Sequence, residues 1–357
     1  MHTKHPFYKT KRFWAGGLLA QFVLFFIFSK IPFVIQGFDT FFEYQKRVHQ
    51  KLFSGISLSI GDLFYCLLIL VILIFLVIAL KKTYRSWAWW RCLILLNVFY
   101  FVYQIFWGML YFQKPLSDAL PTYDASAEEV KHLTLKYLER CKTTRTQVKE
   151  DENGVFKIQN IKAIEQEILH QQTLLPSPFN KKRTTEVNNF KASLFSSFMS
   201  DTGILGYYNP FTSEAQYNPH LPPVHLPFTL AHESTHQLGY VREQEANFIG
   251  YLIGIQSDNP ELRYSTEYFV LKHLLATLVQ EDEDFVKKTL NSYSPAMQRD
   301  RLHEKEFYQN HQGFWEEFFG MTNHLFLKSN QQEGRITYSY FVDLLLRYEL
   351  QYLPLHQ

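Results

Sequence analysis

Three long apolar runs dominate the first third of the chain. These uncharged segments extend from Phe13 to Ser29, from Leu63 to Leu80 and from Cys92 to Phe112. Each approaches the roughly 20 residues that carry a helix across about 30 Å of hydrocarbon. The predicted transmembrane helices cover residues 13–36, 58–80 and 88–112. We therefore predict a membrane domain over residues 1–114.

Two features of the apolar runs have alternative interpretations. A cleavable signal peptide would explain the first run, but no small-residue cleavage site follows it and two more runs do. Asp62 lies at the start of the second run. A charge there is either functional or a cap for a helix beginning at Leu63, and the interfacial position favours the cap.

The distribution of lysine and arginine predicts the orientation of the spans. Basic residues flank the first span on its amino-terminal side and fill the loop between the second and third spans: Lys4, Lys9, Lys11, Arg12, Lys81, Lys82, Arg85 and Arg91. Basic residues close to span ends are retained in the cytoplasm. We therefore expect a multi-pass protein of the bacterial inner membrane with a cytoplasmic amino terminus. Residues 115–357 would then form an extracytoplasmic, periplasmic domain, and the expected partners of the protein are the lipid bilayer around its spans and a peptide or protein substrate.

Beyond residue 114 the pattern becomes polar and mostly helical. Ser126 with Glu129 three residues later forms a capping-box pattern, which predicts a helix to about Arg145. Further predicted elements are a helix over Ile161–Gln172, a short helix over 190–199, strands over Ile204–Tyr208 and Ala215–Asn218, and a last helix over Tyr338–Tyr348 capped by Thr337. Apolar positions spaced three and four apart make residues 227–350 almost wholly helical.

The candidate chemistry lies in the motif His232-Glu233-Ser234-Thr235-His236. Four residues make just over one helical turn, so both imidazoles project from one face and suit two corners of a zinc tetrahedron. Glu233 lies on the adjacent flank, where it reaches a water molecule at the metal rather than the metal itself. This placement suits a catalytic general base.

A catalytic zinc also needs a third protein ligand, for which Glu243 and Glu245 are the candidates. A second helix begins after Gly239, and Glu243 in its first turn would face the imidazoles. Asn247 would lie on the same face and hydrogen-bond a ligand imidazole. Glu245, about 200° around that helix, is expected to be solvent-facing or salt-bridged. Arg242 occupies the place of the third metzincin histidine and cannot bind zinc.

Composition excludes other classes of protein. Lys and Arg number 36 against 34 Asp and Glu, so no basic field supports nucleic-acid binding. Three cysteines rule out a disulfide scaffold, and a structural zinc site closed by cysteine is disfavoured because none follows Cys141. With 22 Tyr and 14 His, no oxyanion-stabilising residue can be singled out among Tyr208, Tyr240 and His303.

The sequence resembles an uncharacterised bacterial family of membrane proteins, a domain of unknown function with three amino-terminal spans and a gluzincin-like HExxH zinc-peptidase domain. The stretches that carry the likeness are Ser59–Tyr65, Phe106–Tyr111, Leu226–Thr229, Arg242–Phe248, Leu327–Asn330 and Tyr338–Tyr340. Glu243-Gln244-Glu245-Ala246-Asn247 is similar to the Glu-x-x-Ala-Asp of CAAX-processing and heat-shock membrane metallopeptidases. That similarity implies Glu243 as third ligand, with Asn247 in place of the aspartate.

We therefore expect an α-helical membrane protein with a mainly α (α+β), zincin-like domain that contains a small β-sheet. Its expected function is a zinc metallopeptidase, an endopeptidase acting on envelope or membrane-associated proteins, with Zn²⁺ on His232, His236 and Glu243 and with Glu233 as the base. The alternative is a non-hydrolytic membrane protein with a structural or ligand-sensing zinc site. A channel is disfavoured because three spans without repeats or midplane charges offer no pathway.

Overall fold

The computed structural model describes residues 10–311, 313 and 340–352, and it is mostly helical with a small mixed sheet. The chain divides into two compact units. The described residues of Met1–Gln113, with the loop Asn209–Glu214, form the first unit. Those of Lys114–Tyr208 and Ala215–Gln357 form the second.

The first unit consists of four helices and one short helical segment. They are α1 (Lys11–Phe28), α2 (Pro32–Phe53), α3 (Ile60–Leu80), α4 (Lys82–Phe106) and a 3₁₀ helix, Gly108–Phe112. By length and composition, α1, α3 and α4 are apolar enough to cross a membrane. The prediction of three apolar helices near the amino terminus is therefore confirmed. Both α1 and α3 pack against α4.

The predicted boundaries of the first and third spans were wrong. The first span, predicted over 13–36, is interrupted because α1 ends at Phe28 and Pro32 begins α2. Proline lacks the N–H that a continuing helix would require, but its fixed φ suits a first helical position. The α2 helix was not predicted. The third span, predicted over 88–112, begins earlier at Lys82 and gives way to the 3₁₀ segment.

The predicted capping role of Asp62 was also wrong. Helix α3 begins at Ile60 rather than at Leu63, and Ser59 is its N-cap. The Ser59 hydroxyl oxygen accepts a hydrogen bond from the backbone N–H of Asp62 at 3.1 Å. Asp62 is therefore a completely buried residue in the first turn of the helix, where a carboxylate interacts favourably with the helix dipole.

The loop 209–214 is an integral part of the first unit. The Glu214 carboxylate accepts hydrogen bonds from the backbone N–H groups of Ile60 at 3.0 Å and Gly61 at 2.6 Å. These donors have no acceptor inside α3, so Glu214 satisfies two of them. The ring of Phe211 lies 4.9 Å from a phenylalanine ring of α3. Polar capping and aromatic packing together fix this loop against the membrane helices.

The second unit contains nine α-helices, a 3₁₀ helix (Leu116–Ala119), a π-helical segment and one three-stranded sheet within its described residues. The helices are α5 (Ala127–Arg145), α6 (Ile161–Thr173), α7 (Ser196–Thr202), α8 (Leu226–Leu238), α9 (Glu243–Ile255), α10 (Pro260–Leu278), α11 (Glu283–Asn291), α12 (Pro295–His311) and α13 (Tyr340–Leu346), which continues as the π-helical Arg347–Tyr352. The strands are β1 (Phe190–Ala192), β2 (Gly206–Asn209) and β3 (Glu214–Tyr217). Their order is β1-β3-β2, so β2 is an edge strand.

Most predicted elements of the second unit are confirmed. The capping box of Ser126 and Glu129 starts α5 as predicted. Helix α6 and the strand pair agree with their predictions to within two residues. The predicted helix over 190–199 was wrong, because its first residues pair in parallel with β3, with Phe190 opposite Ala215. Thr337 and Tyr338 lie outside the described residues, and the last helix is described from Tyr340.

Close packing between α8 and α9 sets the position of the motif. Gly250 of α9 faces the backbone of α8, where a Cβ atom would lie 3.3 Å from the Cα of His232. That distance is tighter than most Cβ contacts, so glycine permits the two helices to approach. The first turn of α9 is thereby held next to the histidine-bearing face of α8.

Candidate functional site

A sharp turn between α8 and α9 brings the motif residues together. Gly239 ends α8 with φ of +101°, a left-handed conformation that costs other residues far more than glycine. Its N–H bonds back to the carbonyl of His236, and the N–H of Tyr240 bonds to the carbonyl of Thr235. The chain then passes through extended Arg242 and begins α9 at once. The first residue of α9 is Glu243.

Three potential metal ligands converge at this turn. Nε2 of His232 lies 3.2 Å from one carboxylate oxygen of Glu243, and Nε2 of His236 lies 3.7 Å from the other. One ligand atom from each residue lies within 4.8 Å of the others. The two imidazole rings are nearly perpendicular, with centroids 5.0 Å apart. Within the described part of the chain, no other three histidine, cysteine or acidic residues converge in this way.

The second nitrogen of each ring is held by a hydrogen bond. Nδ1 of His232 lies 2.7 Å from the side-chain oxygen of Asn247, and Nδ1 of His236 lies 2.6 Å from the backbone oxygen of Tyr240. Because both oxygens only accept, each Nδ1 carries the proton and donates it. Each Nε2 therefore faces the cluster, where it can bind a metal once it carries no proton.

The charges within the cluster are strongly coupled. Burial lowers the pKa of His236, but the adjacent Glu243 carboxylate outweighs this effect and raises the pKa to about 9. Burial raises the pKa of Glu243, and the neighbouring imidazoles outweigh it, so that the pKa lies well below its usual range. The three side chains therefore create a site that favours bound positive charge.

Glu233 differs from the other acidic residues of the site because its carboxylate lacks donors. The residue is 4% exposed, and its Oε2 atom is buried with no hydrogen-bond partner among the described residues. Burial raises its pKa to about 7, although the two nearby histidines act in the opposite direction. At neutral pH this group is therefore close to the midpoint of its titration, where it exchanges protons readily.

The edge strand β2 passes directly beside Glu233. A Cβ atom at Gly206 would lie 2.7 Å from both Cγ and Oε1 of Glu233. Any larger residue would force the glutamate or the strand to move. Sequence analysis did not identify this role for Gly206. The available signal was a glycine at the start of a predicted strand, which often marks close approach of another group.

The structure separates the two candidates for the third ligand. Glu245 is 4% exposed, and it accepts hydrogen bonds from the Leu116 backbone N–H at 2.9 Å, from Arg242 at 2.9 Å and from the Tyr340 hydroxyl at 3.3 Å. The carboxylate of Glu245 therefore forms an ion pair with Arg242 and hydrogen bonds with Leu116 and Tyr340. Glu243, by contrast, lies against both imidazoles.

The other residues considered from sequence lie in different settings. The Tyr240 hydroxyl donates to the carbonyl of Phe179 at 2.8 Å, which fixes it in the core. Tyr208 is buried in β2, and His303 lies half-buried on α12. None of these residues was assigned a role, and the geometry assigns none.

Comparison with known proteins identifies a family. No curated protein and no solved structure matches the chain. The family described as "Protein of unknown function (DUF3810)" matches residues 38–346, which includes most of the first unit and the entire turn between α8 and α9. Because this match covers far more than half of the 357 residues, the chain belongs to the DUF3810 family.

Proposed function

We propose that this protein is a membrane-anchored zinc metallopeptidase that hydrolyses envelope or membrane-associated proteins. One observation carries the proposal. Two imidazoles, one of them buried, and one carboxylate converge beside a second carboxylate, Glu233, that is buried and has no hydrogen-bond donor among the described residues. The three apolar helices supply the anchor, and the basic residues around them favour an extracytoplasmic catalytic unit.

The donor set fits zinc. Two imidazole nitrogens and one carboxylate oxygen are ligands that zinc prefers, and three protein ligands leave one position open. Zinc bonds of about 2.0–2.1 Å place tetrahedral donors roughly 3.3 Å apart. Nε2 of His232 lies 3.2 Å from one Glu243 oxygen and Nε2 of His236 lies 3.7 Å from the other, so each histidine–carboxylate pair has about the spacing of two zinc ligands. When bound, zinc would polarise the scissile carbonyl and lower the pKa of water.

Glu233 provides the proton transfer that peptide hydrolysis requires. Attack of water on a carbonyl demands a base, and departure of the amine demands an acid. A carboxylate with a pKa of about 7 performs both steps in turn, because it gains and loses a proton at similar cost near neutral pH. The surrounding protein gives Oε2 no competing donor among the described residues.

The edge strand β2 is suited to aligning an extended peptide. An edge strand can add a further strand by backbone hydrogen bonding, with specificity left to side-chain pockets. Because Gly206 brings β2 against Glu233, a peptide paired along this edge would run close to the base. This geometry favours a polypeptide substrate over a small molecule.

The test compares the wild-type full-length protein with Glu233→Gln, both purified in detergent. Zinc content is measured by mass spectrometry, and hydrolysis is measured with casein and envelope-derived peptides. Because Gln occupies the same volume but does not accept the proton, we expect full zinc content with hydrolysis reduced about 10³-fold. Glu139→Gln, which removes an exposed carboxylate paired with Lys142, is the matched control and should keep full activity.

Two outcomes would contradict the proposal. A wild-type protein that binds zinc but hydrolyses nothing would favour a structural or ligand-sensing zinc site instead. A wild-type protein that binds no zinc after dialysis against the metal would remove the basis for both functions.

A further inference from the structure

A cavity in the second unit lies between α10, α11 and α12. Its volume is about 420 Å³, which is within the range of small-molecule sites. Tyr268 and Lys272 of α10 line one wall, while Arg301 and Lys305 of α12 line another. Apolar area comes from Leu275, Leu290 and the tyrosine rings.

The cavity wall carries an excess of positive charge. Its one carboxylate, Glu304, is 7% exposed and forms an ion pair with Lys272. The Tyr268 hydroxyl also donates to Glu304, at 2.7 Å. Arg301 and Lys305 remain, and neither forms an ion pair or a hydrogen bond with any residue that the structure describes. Two cationic side chains one helical turn apart therefore line the cavity, and neither has an ion-pair partner among the described residues.

A tyrosine also lines this cavity. Tyr293 is 5% exposed as a whole residue, and over residues 10–311, 313 and 340–352 its hydroxyl forms no hydrogen bond. This hydroxyl lines the same cavity as Arg301 and Lys305. Three side-chain donors that can bind an anion therefore line the cavity.

We propose that this cavity binds a phosphate monoester attached to an apolar or aromatic body. A phosphate monoester carries about −1.5 to −2 charge at neutral pH, which matches the two unpaired cations. Arg301 can grip two phosphate oxygens at once, and Lys305 and Tyr293 supply further donors. The volume exceeds that of a bare phosphate, and the apolar wall accommodates the rest of the ligand. The site shares no residue with the proposed zinc centre.

The same chemistry occurs in soluble phosphorylated molecules and in the headgroup of phosphatidic acid. The experiment therefore has two arms with the full-length protein. In detergent, phenyl phosphate binding is measured by isothermal titration calorimetry. In nanodiscs, phenyl phosphate is titrated with phosphatidic acid or with phosphatidylcholine in the bilayer. Competition from phosphatidic acid alone would assign the site to the lipid, and undiminished binding in both bilayers would assign it to a soluble ligand.

Variants of the residues that line the cavity test whether phenyl phosphate binds there. Arg301→Gln with Lys305→Gln should weaken phenyl phosphate binding about 100-fold, because each charge-assisted hydrogen bond is worth roughly tenfold or more. Tyr293→Phe, which removes one hydroxyl, should weaken it about tenfold. Lys287→Gln with Lys288→Gln makes the same charge change on exposed positions of α11 and should have no effect.

Two results would overturn the proposal. One is the absence of saturable phenyl phosphate binding to the wild-type protein. The other is equal affinity in the wild type and in the Arg301 and Lys305 double variant. The second result would show that any binding occurs elsewhere. Zinc content and peptide hydrolysis do not enter either readout, so this test is independent of the proposed peptidase activity.

Discussion

Two histidine–carboxylate clusters involve α8, one at its amino-terminal end and one between its middle and its carboxyl-terminal end, and their carboxylates have different surroundings. At its amino-terminal end, Glu304 receives the Tyr268 hydroxyl and the Lys272 ammonium, and Nε2 of His225 lies 2.9 Å away. Burial raises the pKa of Glu304, but His225 and Lys272 outweigh burial and bring it down to about 2. In the middle of α8, Glu233 has no such donor among the described residues, and burial raises its pKa to about 7.

The difference shows that donors, rather than burial, decide what a buried carboxylate does. Glu304 is fixed in its ionised form and ties α12 to α10 and to the start of α8. Glu233 is close to the midpoint of its titration and lies beside two imidazoles whose Nε2 atoms face the same carboxylate, Glu243. The first arrangement suits stability and the second suits proton transfer. Each prediction below tests one side of this contrast.

The largest effect is expected when the proposed third ligand is replaced. Zinc sites with four ligands gain about 10–16 kcal/mol in total, so losing one ligand costs roughly 3 kcal/mol, or about 100-fold in affinity. Glu243→Gln should therefore lose zinc in competition with a chelator. Glu245→Gln is the matched control, because Glu245 is two residues away and bonded to Leu116, Arg242 and Tyr340 instead.

The same pair of variants also tests which of the two glutamates binds zinc. Equal zinc affinity in Glu243→Gln and the wild type would show that the convergence of ligands has no role in metal binding. Loss of zinc in Glu245→Gln with retention in Glu243→Gln would reverse the assignment.

The second prediction concerns Glu304, whose carboxylate accepts hydrogen bonds from Tyr268 and Lys272. Glu304→Gln leaves Lys272 and His225 without their anion, so we expect about 2 kcal/mol less stability at pH 7 and unchanged zinc content. The pKa of Glu304 is about 2 in the folded protein, below the 4.5 that is usual for a glutamate side chain. Its stabilisation is therefore complete above pH 4.5 and disappears as the pH falls toward 2.

Thermal unfolding in detergent from pH 7 to pH 2 is the measurement. The difference in melting temperature between wild type and Glu304→Gln should shrink across the interval from pH 4.5 to pH 2. A constant difference over that interval would show that Glu304 is not held ionised by its neighbours. Loss of zinc in this variant would show that Glu304 also contributes to the zinc site and is not only a stabilising residue.

Local sequence signals predicted much of the second unit because the relevant physics is local. The capping box at Ser126 and the terminal glycine at Gly239 fixed the ends of α5 and α8 within a residue. The spacing of His232 and His236 placed both rings on one face, and the structure brings them together with Glu243. Each of these relations spans only a few residues, so the chain itself contains the information.

Relations between distant residues could not be read in this way. The contact of Gly206 with Glu233 depends on how β2 is paired, and the strand at Phe190 forms only because β3 is its partner. In the first unit, α1 ends before Pro32 and the amphipathic helix α2 begins there. Hydropathy alone assigns the start of α2 to the first span and the rest of it to a loop. Tertiary context overrides local preference at the two strands, whereas the break before Pro32 is a local effect of proline that hydropathy does not register.

The smallest effect is expected at Asn247, which orients a ligand rather than binding the metal. Its side-chain oxygen accepts the Nδ1 proton of His232 at 2.7 Å. Removing such a partner typically costs 10–100-fold in metal affinity, so Asn247→Ala should weaken zinc binding about tenfold. Asn247→Asp should strengthen it, because a charged acceptor makes the imidazole a better electron donor. Both affinities are measured by chelator competition.

The opposite signs of these two substitutions separate orientation from packing. Both variants change a half-buried position of α9, so a general disturbance of the helix would weaken zinc binding in both. Asn291→Ala, at an exposed position of α11, provides the baseline for an asparagine lost elsewhere. If the aspartate variant bound zinc more weakly than the wild type, the hydrogen bond to His232 would not tune the metal site. The difference between the two clusters would then lie only in the carboxylates Glu304 and Glu233, because the orientation of the imidazoles would have no effect on zinc binding.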